Sequence, residues 1–421
     1  MNKIRISLIL IVGLGFTGLA SAGITYDSGT NTITVTEYSE ASPCTFDDIY
    51  NADVANGWNV VAQQCGTQYH FACKLVIGDG TTETWFKDVN SHITFNIDAT
   101  GYILETKTNS NFQLGEKDAN DRTSKGCAIY SISSSNSGTL RFEGNVSLYN
   151  NVLSHSDDDY LMLQFATTGT VELIDIMIWQ GWISIVFIAE PTTQNLKRIT
   201  VLGGNSGLMA DPGVNTSFED VVVLNAQKPF RCKGTVNATN IRFEGESYLA
   251  EMNDNGILNM YDCAVSTSSI YDAGSAWSVN EYFHFNLKVI DKDETAIPNA
   301  DVTIKDVNNI IVFSGQTDIN GEIPEQTLKY AERNNTQTRT LFTPHNLKIE
   351  KAGYTTYEAD FTLEEKTDWL IALNSAENGT TTETKLISTQ VGARKTTMAA
   401  AFMLLSGMFM MIAIKRRQED D

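Results

Sequence analysis

Five segments in the middle of the chain lie under one another at a nearly constant interval, and this recurrence restricts the fold more than any other property of the sequence. LIDIMI, LKRITV, FEDVVV, ATNIRF and LNMYDC begin at Leu173, Leu196, Phe218, Ala238 and Leu258, at steps of 23, 22, 20 and 20 residues. In each, polar residues precede an alternating apolar run, and a Gly- or Asn-containing turn comes some residues later. Alternation of period two signals strands, and no helical period interrupts it. A unit this short cannot bury its apolar face alone, so copies must stack on one another. The expected result is a parallel solenoid whose inward side chains (Ile176, Ile178, Val201, Val221, Val223, Ile241 and Phe243) form one continuous core.

Over roughly residues 90 to 275 this pattern resembles the right-handed parallel β-helix proteins, by pattern rather than by a diagnostic motif. An antiparallel β-sandwich is the alternative, but it does not require a recurrence of about twenty residues. The open end of a solenoid exposes unpaired strand edges and needs a cap. Residues 23–90 supply one. Thr45 is a helix N-cap followed by Asp47 and Asp48, Phe46, Ile49 and Tyr50 make an apolar face, and Asn56-Gly57 is the stop.

A second unit begins near Ser278 and runs to Asn374. Its strands read FHFNLKVI, DVTIKD, IIVFSG, HNLKIEK, YEADFTL and WLIAL, punctuated by AIPNADVTI (296–304), TDINGE (317–322) and KAGYTTY (351–357). In the order of these motifs it is similar to the carboxypeptidase-regulatory-like (transthyretin-like) β-sandwich family. The resemblance implies a structural or stalk module with no catalytic residues. Asp318 and Gly321 are expected to shape a turn, and Gly353 to let Tyr354 tuck inward. The fold class is thus all-β: a capped parallel β-helix (91–277), a β-sandwich (278–374), and little else outside the ends.

The ends address the chain to a membrane. A basic start, an apolar run and Ala20-Ser21-Ala22 read as a signal peptide, 1–22. A polar tether spans 375–395, and the uncharged run 396–414 is long enough to span a bilayer as a helix. Lys415, Arg416 and Arg417 follow it, so the short tail 415–421 is expected in the cytoplasm and the rest outside. The apolar stretch 171–189 holds Glu172, Asp175 and Gln180 and is read as buried strands instead.

Removing signal peptide and tail leaves 25 basic and 48 acidic residues, a formal charge of −23. So acidic a surface repels nucleic acid and anionic headgroups. The expected partners are the membrane, through the C-terminal helix, and surface glycans or other envelope proteins. Six cysteines (Cys44, Cys65, Cys73, Cys127, Cys232 and Cys263) are disulfide candidates in an oxidising compartment, with Cys65–Cys73 as the first pairing expected. Sequons at Asn145, Asn215, Asn237, Asn334 and Asn378 mark glycosylation candidates.

No nucleophile–base arrangement or phosphate loop is present. The one dense acidic run, Asp157, Asp158 and Asp159 beside His155 and Tyr160, is the candidate for Ca²⁺, the one cofactor considered. No Arg or Lys lies within eight positions of it, and Lys125 or Arg141 on another coil is the candidate partner. His70, His92, His155, His284 and His345 are scattered and expected at the surface or satisfied in the core. Trp179 and Trp182 sit among isoleucines and are expected to be buried. These features describe a membrane-anchored adhesion, recognition or envelope-coat protein with an elongated β-helix head. A surface polysaccharide lyase or hydrolase, and a viral envelope spike, are the other readings. A fragment of residues 23–374 is expected to be soluble and folded without detergent, because every long uncharged run lies outside it; extraction only in detergent would overturn this topology.

Overall fold

The computed structural model describes residues 23–96, 102–131, 138–155, 161–179, 183–263, 269–272, 274, 276–376 and 386–388. The segments 1–22 and 396–414, read as signal peptide and membrane helix, lie outside them. Among the described residues no helix is long and apolar enough to cross a membrane. The described residues form two compact units, those up to 282 with 329–342, and 283–328 with those from 343 onward.

The first unit is a β-solenoid of about eight turns. Along its first face ten strands, from Thr32–Val35 to Ile270–Asp272, pair in parallel, each with the next coil. The register gives the coil length directly. Leu140 lies opposite Leu163, then Ile185, Leu208, Phe230, Ala250 and Ile270, steps of 23, 22, 23, 22, 20 and 20 residues. Two further faces complete each coil, as in Gly138–Phe142, Asn145–Tyr149 and Val152–His155. Leu173 pairs with Leu196 and Phe218 with Ala238, as the repeat predicts. The last step differs: Ala238 pairs with Met260, and Leu258 lies opposite Val236. A slip of two residues keeps every side chain on its face, so the apolar pattern alone does not detect it.

Inside, phenylalanines from successive coils touch. Phe86, Phe112, Phe142, Phe165, Phe187 and Phe218 form a chain of rings with centroids 4.8 to 6.0 Å apart, all at most 2 % exposed. Each such burial contributes roughly 1.5–3 kcal/mol, and each ring pair about 0.5–1.5 more. The expected core residues from Ile176 to Phe243 are buried with them. The helix Phe46–Asn56 carries the ring column onward at the N-terminal end, with Phe46 edge-on to Phe86 at 4.8 Å. Its ends are those read from sequence. Thr45 and Asp48 form a capping box, and Gly57 closes the helix in the left-handed conformation.

The corner between the second and third faces is a single residue with positive φ. Going up the stack it is Gly115, Asn150, Asp175, Arg198, Asp220, Asn240 and Asp262, with φ between 52° and 84°. Asn and Asp tolerate this region because their short polar side chains bond locally. At Gly115 a Cβ would meet the Tyr149 carbonyl oxygen at 1.9 Å, so no other residue fits there. Arg198 is the exception in type, and its guanidinium is held by Asp175 at the preceding corner.

At the other end of the stack, Glu281 lies opposite Met260, an inward position, and is 1 % exposed. Residues 329–342, which hold most of the hairpin of Gln326–Asn334 and Arg339–Leu341, belong to this unit by their contacts, and Arg339 grips both Glu281 carboxylate oxygens.

In the second unit the strands Ile311–Gln316, Asp301–Lys305, His345–Glu350 and Tyr357–Phe361 form an antiparallel sheet in that order. Phe285–Asp291 pairs in parallel with Thr367–Leu373. Phe285, Phe361 and Trp369 pack together with ring centroids 4.8 to 5.4 Å apart. Asp318 accepts from the Asn320 and Glu322 amides at 2.8 Å, and Gly321 turns with φ 77°. His345 departs from expectation. It is buried beside Phe361, and neither ring nitrogen has a hydrogen-bond partner. Burial holds its pKa below the usual histidine value.

The corner column makes a direct prediction. Asn240→Val is expected to cost about 1–2 kcal/mol in chemical denaturation, because a β-branched residue is strained at φ 52°. Asn240→Gly, which loses the same side-chain contacts without that strain, is expected to cost clearly less.

Candidate ligand-binding face

The chemistry-bearing residues singled out in the sequence do not assemble into one site. Asp157, Asp158 and Asp159 lie outside the described residues, as do Tyr160 and Trp182; His155 is described in its backbone only. Among the described residues no group of three or more His, Cys, Asp or Glu is placed to hold a metal. The cations offered as their partners are engaged elsewhere. Lys125 lies 3.3 Å from Glu116, and Arg141 bonds Glu143 at 2.9 Å, the Tyr102 hydroxyl at 2.7 Å and Gln164 at 3.0 Å. Trp179 is half-buried at the end of its strand.

The cysteines also need correction. Cys44, Cys73, Cys127, Cys232 and Cys263 are free thiols and all are buried. The expected Cys65–Cys73 bridge is therefore not formed; the Cys65 side chain is outside the described part. Burial pushes the thiols of Cys73, Cys127 and Cys263 up to about 12, and raises those of Cys44 and Cys232 as well. These residues act as small apolar core groups rather than as nucleophiles.

Of the sequon residues, Asn145 and Asn215 are exposed on the second face, Asn237 is half-buried there, and Asn334 is exposed at the end of its strand. Asn378 lies outside the described residues.

Two arrangements on the second face were not read from sequence. The first is a charged clamp. The hairpin Glu116–Lys117 and Thr123–Lys125 is inserted just after the Gly115 corner. It reaches over the coils that follow it in the stack. Lys117 bonds Glu172 at 2.7 Å and Asp121 at 3.0 Å, and Thr123 donates to Asp175 at 2.7 Å. Arg198 bonds Asp175 through two nitrogens at 2.7 and 2.9 Å and the Asp121 carbonyl at 2.6 Å. Lys197 lies 3.3 Å from Asp121. Burial acts to raise the Glu172 pKa, but hydrogen bonds from Lys117 and the Tyr149 hydroxyl hold it below the ordinary glutamate value. Burial and the same carboxylate push the Tyr149 phenol up to about 12. Charges matched this closely brace the wall and leave no free carboxylate–cation pair within the clamp.

The second arrangement is a polar row. One outward position recurs on each coil as Ser147, Glu172, Asn195, Ser217, Asn237, Asn259 and Asn280. The clamp covers it at Glu172. Farther along, Asn237 donates to Asn215 Oδ1 at 2.8 Å, Asn259 to Asn237 at 2.9 Å and Asn280 to Asn259 at 3.0 Å. Two positions along the same strands, Tyr261 and Tyr282 stack with centroids 5.1 Å apart. Asn237 and Asn259 each donate and accept once within the column, Asn215 accepts and Asn280 donates, and an amide side chain has further capacity beyond that. The signal for this row, one Asn recurring per coil, is present in NAT, NMY and NEY, but a polar outward residue carries no mark of its register.

These features define a β-solenoid with a polar outward ladder. No protein family, curated protein or solved structure matches the chain.

The clamp yields a pH prediction. Because the folded Glu172 pKa is depressed, its contribution to stability is present above the ordinary glutamate range and is lost as pH falls through the folded value. Glu172→Gln is expected to cost about 1–3 kcal/mol at pH 7, and the gap from the unaltered chain is expected to close on acidification, as measured by denaturant midpoints from pH 7 to 3.

Proposed function

We propose that this chain is a membrane-anchored cell-surface adhesion or recognition protein whose solenoid binds neutral glycans on its second face. The observation that carries the reading is the column of stacked amides Asn237, Asn259 and Asn280, joined to Asn215 and flanked by the Tyr261–Tyr282 pair. Amides repeated at the coil spacing of about 4.8 Å present donors and acceptors to a polyhydroxylated ligand lying across the strands. The formal charge of −21 favours a neutral ligand over a polyanion. In this reading residues 1–22 direct export, the run 396–414 anchors the chain, and the second unit is a transthyretin-like β-sandwich acting as a spacer.

The test is a glycan array with the full chain, paired with a reducing-sugar release assay. Binding to neutral glycans without release is expected. Asn259→Ala is expected to weaken it by about five- to tenfold, the weight of one net hydrogen bond. Release of sugar by the unaltered chain would replace this reading with that of a polysaccharide-degrading enzyme, and binding indifferent to Asn259 would move the site off the second face.

A further inference from the structure

We propose that the second unit pairs with a second copy of itself, antiparallel and edge to edge, through the strand Ile311–Gln316. The two edges of its four-stranded sheet are built differently. One is Tyr357–Phe361, whose exposed Glu358 and Asp360 are followed by Glu364 and Glu365. Charges of one sign along an edge repel another edge of the same kind, and this is how sheets avoid joining. The other edge is Ile311–Gln316, which has Asp301–Lys305 as its one strand neighbour among the described residues. From Val307 to Thr317 it carries no charge at all.

This uncharged edge also exposes apolar side chains at its first end, and one more stands in the turn that follows its second end. Val307 is 43 % exposed, Ile310 60 %, Ile311 58 % and Val312 43 % at one end, and Ile319 is 84 % exposed just beyond the other. An antiparallel pair about a two-fold axis brings the first end of each strand to the second end of its mate. The apolar first end of each strand then approaches the Ile319 turn of its mate, and the free backbone groups of both edges are satisfied together. The contact is self-complementary and closes, because the remaining edge of each copy is the acidic one. A register shift at Val312 marks a bulge that keeps the pairing short.

Charge selects the occupant. In a chain with a formal charge of −21, copies repel over most of their surface, and a neutral strip is where they can approach. A lipid surface fits less well. The strip has neither the Trp and Tyr nor the basic residues that seat a loop in a bilayer interface, and Asp306 and Asp318 flank it. A single six-residue strand buries little area, so the pairing is weak in dilute solution and is strengthened when copies share a surface.

The experiment is sedimentation of the full chain in mild detergent over a wide concentration range, with short bis-maleimide cross-linking of Ser314→Cys. A concentration-dependent dimer and a cross-linked dimer from Ser314→Cys are expected, with no more than background from Glu358→Cys at the other edge. Ile311→Lys with Ile319→Lys is expected to shift the dimer midpoint at least tenfold while leaving the circular-dichroism spectrum unchanged; both residues are exposed, so folding is spared. A chain monomeric at every concentration, or a dimer that survives the lysine pair, overturns the proposal. So does a dimer that appears only after removal of residues 389–421, which would make the chain's own C-terminal segment the occupant. Vesicle flotation that depends on Ile311 without any dimer overturns it in favour of lipid.

Discussion

Everything in the first unit depends on parallel stacking of coils that cannot bury their apolar side chains alone. The column of phenylalanines from Phe86 to Phe218, each ring against the next, is the most direct expression of this. A ring in one coil has its partners 22 to 31 residues earlier and later, one coil away, so the core is a sum of nearest-neighbour contacts. Such a stack is stable along its length and exposed at its ends. One end is covered by the helix Phe46–Asn56, which adds Phe46 to the column. At the other, an inward Glu281 takes the place of an apolar residue and is neutralised by Arg339 from a hairpin distant in sequence. A buried carboxylate tolerates that position only with its partner present.

The corners impose a second constraint. Turning from the second face to the third within one residue requires positive φ, and this falls on Asn or Asp at five of the seven corners from Gly115 to Asp262. Where the corner is Arg198, the chain uses the long side chain to tie adjacent coils through Asp175. The inserted hairpin at 116–125 joins the same network. Local backbone strain and the charged clamp are thus parts of one construction, in which corner side chains fasten adjacent coils at Asp175–Arg198 and at Asp220–Asn240.

How much of this was legible in advance follows from which interactions leave a periodic trace. The alternation at Leu173, Leu196 and Phe218 reports an inward face and a coil length, and the register bears out both. At Leu258 the same alternation permits a slip of two residues, and the chain takes it, because faces are conserved and only hydrogen-bond partners change. The cysteines misled because an even number suggests bridges where export is expected, whereas Cys73 fills a core position as a free thiol. The histidines were expected to be satisfied or exposed, but His345 is neither. The polar row was missed because an outward Asn looks the same in sequence whether or not another Asn stacks on it.

The sequence by itself determined the repeat, the inward side chains, the capped helix from Thr45 to Gly57 and the turn at Asp318, all of which rest on contacts within one coil or one turn. Only the tertiary structure decided which residues meet between coils. The pairings Lys117 with Glu172, Arg198 with Asp175, Asn259 with Asn237 and Arg339 with Glu281 join residues 22 to 58 positions apart. Such partners are set by the exact length of every intervening coil, and from Leu140 to Ile270 coil length varies from 20 to 23 residues without altering which side chains face the core. Hydrophobic patterning fixes the face of a side chain; the stacking register fixes its neighbour.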